Sequence, residues 1–148
     1  DTEPVWTFTG GDVGRWAKRR QVQEVLVHRF DAELAGGLVS SADATMCADG
    51  VDELLTVFVP RLKEKAQLPG TVHFHCTDTD GEWMLTPQEA GIEVTREHGK
   101  GDVALRAPAQ VLLQVVWRRM NVDEAIASGA EVFGNRGALD AFIDLSQF

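Results

Sequence analysis

The stretch Thr71-Val72-His73-Phe74-His75-Cys76-Thr77 alternates apolar and polar side chains with a period of two. Because successive side chains of a β-strand point to opposite faces, this alternation predicts a strand with one apolar and one polar face. The apolar face carries Val72, Phe74 and Cys76, and the polar face carries His73 and His75. The next segment, Asp78-Thr79-Asp80-Gly81, is typical of a hairpin turn, so a second strand should pair with the first.

Further strands are predicted at 82–86, 91–95, 102–106 and 131–133. Short polar and glycine-containing segments separate the first four strands, which predicts that residues 71–106 form one antiparallel sheet. Six apolar side chains should lie largely inside this sheet: Val72, Phe74, Cys76, Val94, Val103 and Leu105.

Helical periodicity is found on both sides of these strands. A long helix is predicted from about 12 to 34, with Asp12 as a plausible N-cap and Gly36-Gly37 at its end. Residues 38–48 are small and polar and predict a loop at a domain boundary. Three more helices are expected, at 51–65, 108–119 and 138–145. The fold class is therefore α+β: one long N-terminal helix (domain 1–37), then an antiparallel sheet covered by helices (domain 49–148).

Composition excludes some partners. The chain has 148 residues, a net charge of −9 and a pI near 4.8, which argues against nucleic acid or an anionic membrane as a main partner. No apolar run is long enough to span a bilayer. We expect a soluble cytoplasmic protein with Cys47 and Cys76 reduced. Because the chain starts at Asp1 rather than Met, we also expect it to be a fragment or a processed form.

The helix around Arg19–Leu34 carries a candidate metal pair. Glu24 and His28 are four residues apart and share one face, beside a polar stripe that includes Asp31. A carboxylate and a neutral imidazole on adjacent turns are two suitable metal ligands. On spacing alone, the commoner interpretation is a hydrogen bond along the helix or a surface contact.

The run Gln23-Glu24-Val25-Leu26-Val27-His28-Arg29-Phe30-Asp31-Ala32-Glu33 resembles the signature helix of the mycothiol-dependent maleylpyruvate isomerase family of actinobacteria. The resemblance implies that Glu24 and His28 bind a divalent metal, usually zinc. The family's third ligand is a histidine of an N-terminal DinB-like bundle, which we do not expect this chain to contain. Many relatives have His where this chain has Gln23, a difference that concerns the surroundings of the ligands. We therefore expect the chain alone to bind metal weakly.

The remainder, from about residue 49, resembles the sterol-carrier-protein-like C-terminal domain of the same family. The matching segments are Gly81-Glu82-Trp83, Arg96-Glu97-His98-Gly99-Lys100, Asp102-Val103-Ala104-Leu105-Arg106, Trp117-Arg118-Arg119 and Glu131-Val132-Phe133-Gly134-Asn135. The resemblance implies the C-terminal part of an isomerase or thiol transferase with a small-molecule substrate and mycothiol as thiol cofactor. In the isomerases, the thiolate adds to the cis double bond of maleylpyruvate, and rotation and elimination follow.

Other candidate residues have simpler explanations beside functional ones. Arg118 and Arg119 would suit the negative end of a helix dipole, and the resemblance implies that one C-terminal-domain arginine binds a carboxylate of the substrate or thiol. His73 and His75 are spaced for metal binding, but an exposed strand face is favoured because no third ligand is evident. His98 is expected to be solvent-exposed.

Two functions of other classes stay open. One is a sterol-carrier-like module that binds a hydrophobic ligand. The other is a non-catalytic interaction domain that supports a bundle on another chain. Separately, we expect an N-terminal bundle or a second chain to pack on helix 12–35.

Overall fold

The computed structural model describes residues 2–7, 14–38, 40–62 and 68–146. The chain forms two compact units, Asp1–Ser40 and Ser41–Phe148. In the described part of the chain, no helix is both long and apolar enough to cross a lipid bilayer.

The first unit consists mainly of helix α1, Gly14–Ala35. The expected N-cap, Asp12, lies outside the described residues. The helix ends at the glycine pair as predicted: Gly37 has a φ of 69°, a backbone conformation that glycine adopts without steric cost. The Leu38 amide donates to the Glu33 carbonyl at 2.8 Å and the Gly37 amide donates to the Leu34 carbonyl at 3.1 Å. These two bonds form a Schellman motif that satisfies carbonyls at the helix end.

The second unit contains a five-stranded sheet. Its strands are β1 (Val72–Cys76), β2 (Glu82–Gln88), β3 (Gly91–Thr95), β4 (Val103–Ala107) and β5 (Glu131–Gly134). Their order across the sheet is β3-β2-β1-β4-β5. The strands expected from alternation are thus confirmed, and with the helices they give the predicted α+β class.

The sheet is mixed rather than antiparallel, which corrects the expected pairing. β1 pairs with β4 in parallel, from Val72 opposite Val103 to Cys76 opposite Ala107. The other pairs are antiparallel. The reason is topological: the segment between β3 and β4 carries the chain from one edge of the sheet to the far side of β1, so it is not a hairpin. Its glycines at 99 and 101 suggested a tight turn, but their spacing does not fix which strand β4 pairs with.

Asp102 anchors the start of the parallel pair. Its carboxylate accepts hydrogen bonds from the backbone amide of Thr71 at 2.7 Å and from the Thr71 hydroxyl at 2.8 Å. The Thr71 hydroxyl oxygen in turn accepts from the Asp102 amide at 2.8 Å. The backbone and side-chain bonds from Thr71 lower the pKa of Asp102. These bonds fix the register in which β1 and β4 begin.

The core lies on the apolar face of the sheet. Five of the six expected inward side chains are buried: Val72, Phe74, Cys76, Val103 and Leu105. Val94 is only half-buried, because β3 is an edge strand. Helices α3 (Ala109–Val116) and α5 (Gly137–Leu145) pack on β1 and β4, and the ring of Phe142 meets the ring of Phe74 edge to face at 5.4 Å between centroids.

Helix α2 (Ala44–Glu53) begins inside the segment that the sequence predicts as a loop. Asp43 is its N-cap, because the Asp43 carboxylate accepts from the Met46 amide at 2.9 Å. The helix continues as a π-helical turn, Leu54–Phe58, and a 3₁₀ turn, Val59–Arg61. The expected end of the helix, near residue 65, lies outside the described residues.

Helix α4 (Val122–Ala127) is an element that the sequence analysis did not predict. It starts with a capping box: Asn121 accepts from the Glu124 amide and Glu124 accepts from the Asn121 amide. The preceding helix α3 ends at Val116, earlier than expected, since Arg118 has a φ of 61° and cannot continue it.

Candidate functional site

Pairing of β1 with β2 brings histidines and a carboxylate onto one face. His75 lies directly opposite Glu82 in the antiparallel register. His73 precedes His75 by two residues, so it projects from the same face. His98 reaches this face from the segment that follows β3. We call these four residues, His73, His75, Glu82 and His98, the His–Glu cluster.

The Glu82 carboxylate is the centre of the His–Glu cluster. Its Oε1 lies 2.9 Å from Nδ1 of His75, and its Oε2 lies 2.7 Å from Nδ1 of His98 and 3.3 Å from Nε2 of His73. One ligand-capable atom from each of the four residues lies within 4.8 Å of the others. The centroids of the three imidazole rings are 5.7–6.3 Å apart.

Burial and hydrogen bonding shift the pKa values of His73 and Glu82 in opposite directions. Burial lowers the pKa of His73 below 6.5, although the hydrogen bond to Glu82 opposes this shift. Burial alone would raise the pKa of Glu82. The hydrogen bonds from His98 and His73 and the charges of His75 and His98 outweigh that effect, so the pKa of Glu82 is lowered. The arrangement therefore favours an ionised carboxylate beside a neutral, buried imidazole.

The structure corrects the expected exposed strand face. The His73 side chain is only 6% exposed and that of His75 is 28% exposed. His98 is 79% exposed, as predicted, but it contacts Glu82. The further side chains able to coordinate a metal beside His73 and His75 are thus Glu82 and His98. The hairpin between β1 and β2 could have indicated Glu82, because it lies opposite His75, whereas His98 follows an irregular segment that periodicity does not place.

A cavity of about 730 Å³ adjoins the His–Glu cluster. His75, Glu82 and His98 line it, together with residues of α2, β1, β2, the hairpin turn and the segment after β3: Thr45, Ala48, Asp49, Asp52, Cys76, Thr79, Asp80, Gly81, Trp83 and Arg96. Carboxylates are numerous in this lining, and the indole of Trp83 supplies an aromatic wall. The cavity lining thus combines charged groups with apolar and aromatic surface, which suits a small molecule that has both polar and apolar parts.

Asp52 links three elements of the cavity lining. Its Oδ1 accepts from the indole Nε1 of Trp83 at 3.0 Å and from Nε of Arg96 at 2.6 Å. Its Oδ2 accepts from a terminal guanidinium nitrogen of Arg96 at 2.9 Å. This bidentate pair holds α2 against β2 and the segment after β3.

Both cysteines are free and buried, as predicted. Cys76 lines the cavity with little of its surface exposed. Burial raises the pKa of Cys76 to about 12, and the charge of nearby Asp78 adds to this effect. A thiol of this kind stays protonated near neutral pH, so Cys76 is unsuited to act as a nucleophile.

Glu24 and His28 lie in the first unit, on α1. Nε2 of His28 is 3.1 Å from Oε1 of Glu24, and Nδ1 of His28 is 2.9 Å from Oδ2 of Asp31. Arg20 also donates to Glu24. The hydrogen bonds to Asp31 and Glu24 raise the pKa of His28. The expected i, i+4 contact is therefore present, and metal binding by this pair stays a prediction.

Arg118 and Arg119 follow α3 rather than ending it. Arg118 is exposed, and a guanidinium nitrogen of Arg119 donates to the carbonyl of Trp117 at 2.7 Å. The described residues that line the cavity do not include either arginine. Their role in binding a carboxylate stays a prediction.

Comparison with solved structures places the fold in the sterol-carrier-protein-like class. A UbiJ-SCP2 ubiquinone synthesis protein matches with a TM-score of 0.52 and 23% identity, over 69% of this chain and 94% of that chain. A double mutant of the sec-alkyl sulfatase PisA1 matches with a TM-score of 0.55 and 20% identity, over 78% of this chain and 20% of that chain. The sterol carrier protein domain 2 of Helicoverpa armigera matches with a TM-score of 0.47 and 18% identity, over 74% of this chain and 93% of that chain.

The family is shown by sequence. Residues 45–141 match the family model of the MDMPI C-terminal domain. The chain therefore belongs to this family, that of the C-terminal domain of maleylpyruvate isomerases. The comparison with curated proteins gives no significant match.

Proposed function

We propose that the chain is the C-terminal part of a mycothiol-dependent, divalent-metal-binding isomerase or thiol transferase that acts on a small molecule. The observation that carries this proposal is the family match over residues 45–141. The resemblance of the Gln23–Glu33 helix to the family's metal-binding helix supports it from the other unit.

In this proposal Glu24 and His28 are metal ligands in the complete protein. Their side chains are suitable because both ring nitrogens of His28 face carboxylate oxygens, which orient the imidazole. Zinc bound there would favour the thiolate form of a thiol cofactor. Two protein ligands leave most coordination positions to water, so this pair alone should bind zinc weakly.

The proposal also assigns a carboxylate of the substrate or thiol to Arg118 or Arg119. A guanidinium presents paired donors that match a carboxylate, and the exposed position of Arg118 leaves its side chain accessible. Arg118→Ala and Arg119→Ala are assayed separately. The variant that removes the binding arginine should raise KM for the carboxylate-bearing ligand about tenfold or more, and the other variant should leave KM unchanged. Unchanged kinetics in both variants would remove the arginines from the site.

The test of the metal assignment uses the complete protein. Glu24→Ala and His28→Ala should each lower zinc affinity by at least about 100-fold and abolish mycothiol-dependent isomerisation or thiol transfer. Arg29→Ala, on the same helix, is the control and should retain zinc. Unchanged zinc affinity in both ligand variants would refute the assignment of Glu24 and His28.

A ligand-binding module without catalysis is the second candidate. The cavity of about 730 Å³ and the sterol-carrier-like fold favour it. Trp83 lies in the lining, so its fluorescence should report an occupant. Saturable quenching by acyl ligands, together with no turnover in the complete protein, would favour this candidate over the enzyme.

A partner of α1 belongs to the same proposal. The helix exposes apolar side chains, including Val25 at 66% and Leu34 at 67%. An N-terminal bundle or a second chain packed on residues 12–35 would cover such side chains. Sedimentation of the chain with Leu34→Glu should show less self-association than the unaltered chain if a second copy is the partner.

A further inference from the structure

We propose that the His–Glu cluster (His73, His75, Glu82 and His98) is a binding site for a divalent transition-metal ion. This site is separate from the Glu24–His28 pair and goes beyond the proposed function, because all its ligands come from the second unit. It requires neither mycothiol nor an N-terminal bundle.

Geometry is the first argument. The ligand-capable atoms of all four residues lie within 4.8 Å of one another, and those of the histidines lie 2.7–3.3 Å from Glu82. A tetrahedral zinc ion with Zn–N bonds of about 2.0–2.1 Å holds its ligand atoms about 3.3 Å apart. Side-chain adjustments of about an ångström would therefore convert the hydrogen-bonded arrangement into a coordination shell.

Ligand chemistry selects the class of metal. Three imidazoles and one carboxylate suit zinc, iron, cobalt, nickel or copper, whereas calcium and magnesium prefer oxygen ligands. Imidazole rings 5.7–6.3 Å apart would repel one another if all were protonated. A divalent cation instead uses the neutral rings and compensates the charge of Glu82.

The scaffold holds three of the ligands on regular structure. His73 and His75 are on β1, and Glu82 is on the paired strand β2, so backbone hydrogen bonds fix their spacing. His98 comes from the irregular segment after β3 and contributes the exposed side of the shell. Ligands mounted on paired strands need little reordering on binding, which favours affinity.

The location gives the site an open side. His75, Glu82 and His98 line the cavity, so an ion among them faces it. Water or an anionic group of a small molecule in the cavity could then complete the coordination. The exposed carboxylate of Asp80 in the same lining would help to attract the cation.

The simpler alternative is a hydrogen-bond network. Glu82 can accept from all three imidazoles, because a carboxylate offers about four lone pairs. In that case Glu82 serves only to satisfy buried His73. The two interpretations differ in one measurable property, the affinity for zinc.

The test is titration of the chain with zinc alone, by calorimetry with a competing chelator. Cobalt is the spectroscopic probe, since its visible absorption reports a tetrahedral site with nitrogen ligands. The variants are His98→Gln and Glu82→Gln, and the matched control is Glu97→Gln, an exposed carboxylate beside His98. The double variant Glu24→Gln/His28→Gln removes the other proposed metal pair. His98 is 79% exposed, so its replacement should leave the fold intact, which circular dichroism checks.

We expect one equivalent of zinc, with dissociation constants raised at least about tenfold in His98→Gln and in Glu82→Gln. The control should bind zinc within about twofold of the unaltered chain. The proposal is overturned if the chain binds no zinc, or if binding is lost in Glu24→Gln/His28→Gln and kept in His98→Gln and Glu82→Gln. The latter result would leave the proposed role of Glu24 and His28 standing, so the two proposals fail separately.

Discussion

At the scale of single residues, hydrogen bonds make the stability of the fold depend on pH, and Asp102 is the clearest case. The hydrogen bonds from Thr71 lower the pKa of its carboxyl. A group whose folded-state pKa is depressed adds stability above its unfolded pKa, here 3.8, and this stability is lost as the pH falls through the lower folded value. Asp102 should therefore stabilise the fold at neutral pH and contribute to its acid sensitivity.

We predict that Asp102→Asn lowers the free energy of unfolding at pH 7, whereas below about pH 3.8 the difference from the unaltered chain shrinks. Urea unfolding at pH 7 and at pH 3 measures both differences. Asp80→Asn is the control, since its exposed side chain should leave stability within about 0.5 kcal/mol at either pH. A difference that grows on acidification would contradict the role given to Asp102.

The cysteines give a second residue-scale prediction. Because burial raises the pKa of Cys76 to about 12, its thiol should react slowly with disulfide reagents in the folded chain at pH 8. Unfolding in denaturant without reductant should expose two free thiols per chain. Fewer than two would show that Cys47 or Cys76 is oxidised, and rapid reaction of Cys76 in the folded state would contradict its burial.

At the scale of elements, β5 depends on one glycine. Gly134 has a φ of 91°, and a Cβ built there would lie 2.1 Å from the carbonyl oxygen of Asp102. Gly129, just before β5, has a φ of 96° but open space around a Cβ. The two positions thus share the backbone strain of a non-glycine residue, and only Gly134 adds a clash with the neighbouring strand.

We predict that Gly129→Ala costs about 1–2 kcal/mol of unfolding free energy, from strain alone. Gly134→Ala should cost more than about 3 kcal/mol, since the backbone of β4 or β5 must also move. Chemical denaturation of both variants checks the order. Equal losses of unfolding free energy in the two variants would mean that the backbone near Gly134 shifts to accept a Cβ at no measurable cost.

Element boundaries also show where sequence patterns are informative. Alternation identified β1, because the side chains of a strand buried on one face repeat with a period of two. The capping box at Asn121 and Glu124 is a sequence signal that predicts the start of α4. The parallel pairing of β1 with β4 could not be predicted from sequence periodicity, because it depends on how the seven-residue connection between β3 and β4 crosses the sheet.

The His–Glu cluster shows the same limit for sites. His73 and His75 could be identified as a spaced pair from the strand alone, and Glu82 follows from the hairpin register. His98 joins them only through the path of the chain after β3. Pattern therefore predicts the residues that one element or one hairpin brings together, and it misses those that tertiary structure adds.

At the scale of the whole molecule, we predict that residues 41–148 fold on their own. Their sheet, α2–α5 and the His–Glu cluster belong to one compact unit. The fragment should unfold cooperatively and keep the zinc affinity of the full chain. Failure to fold, or loss of zinc binding, would show that the second unit needs residues 1–40.

The fragment 49–148, which starts at the boundary expected from sequence, is the matched control for that prediction. It lacks the Asp43 cap, worth about 1 kcal/mol, and the first turn of α2 with fully buried Cys47. Together these losses should cost about 3 kcal/mol or more. For a domain of this size, that cost lowers the melting temperature by more than about 10 °C. Equal melting temperatures for 41–148 and 49–148 would mean that the first turn of α2 does not stabilise the domain, and the sequence-based boundary would then be the better one.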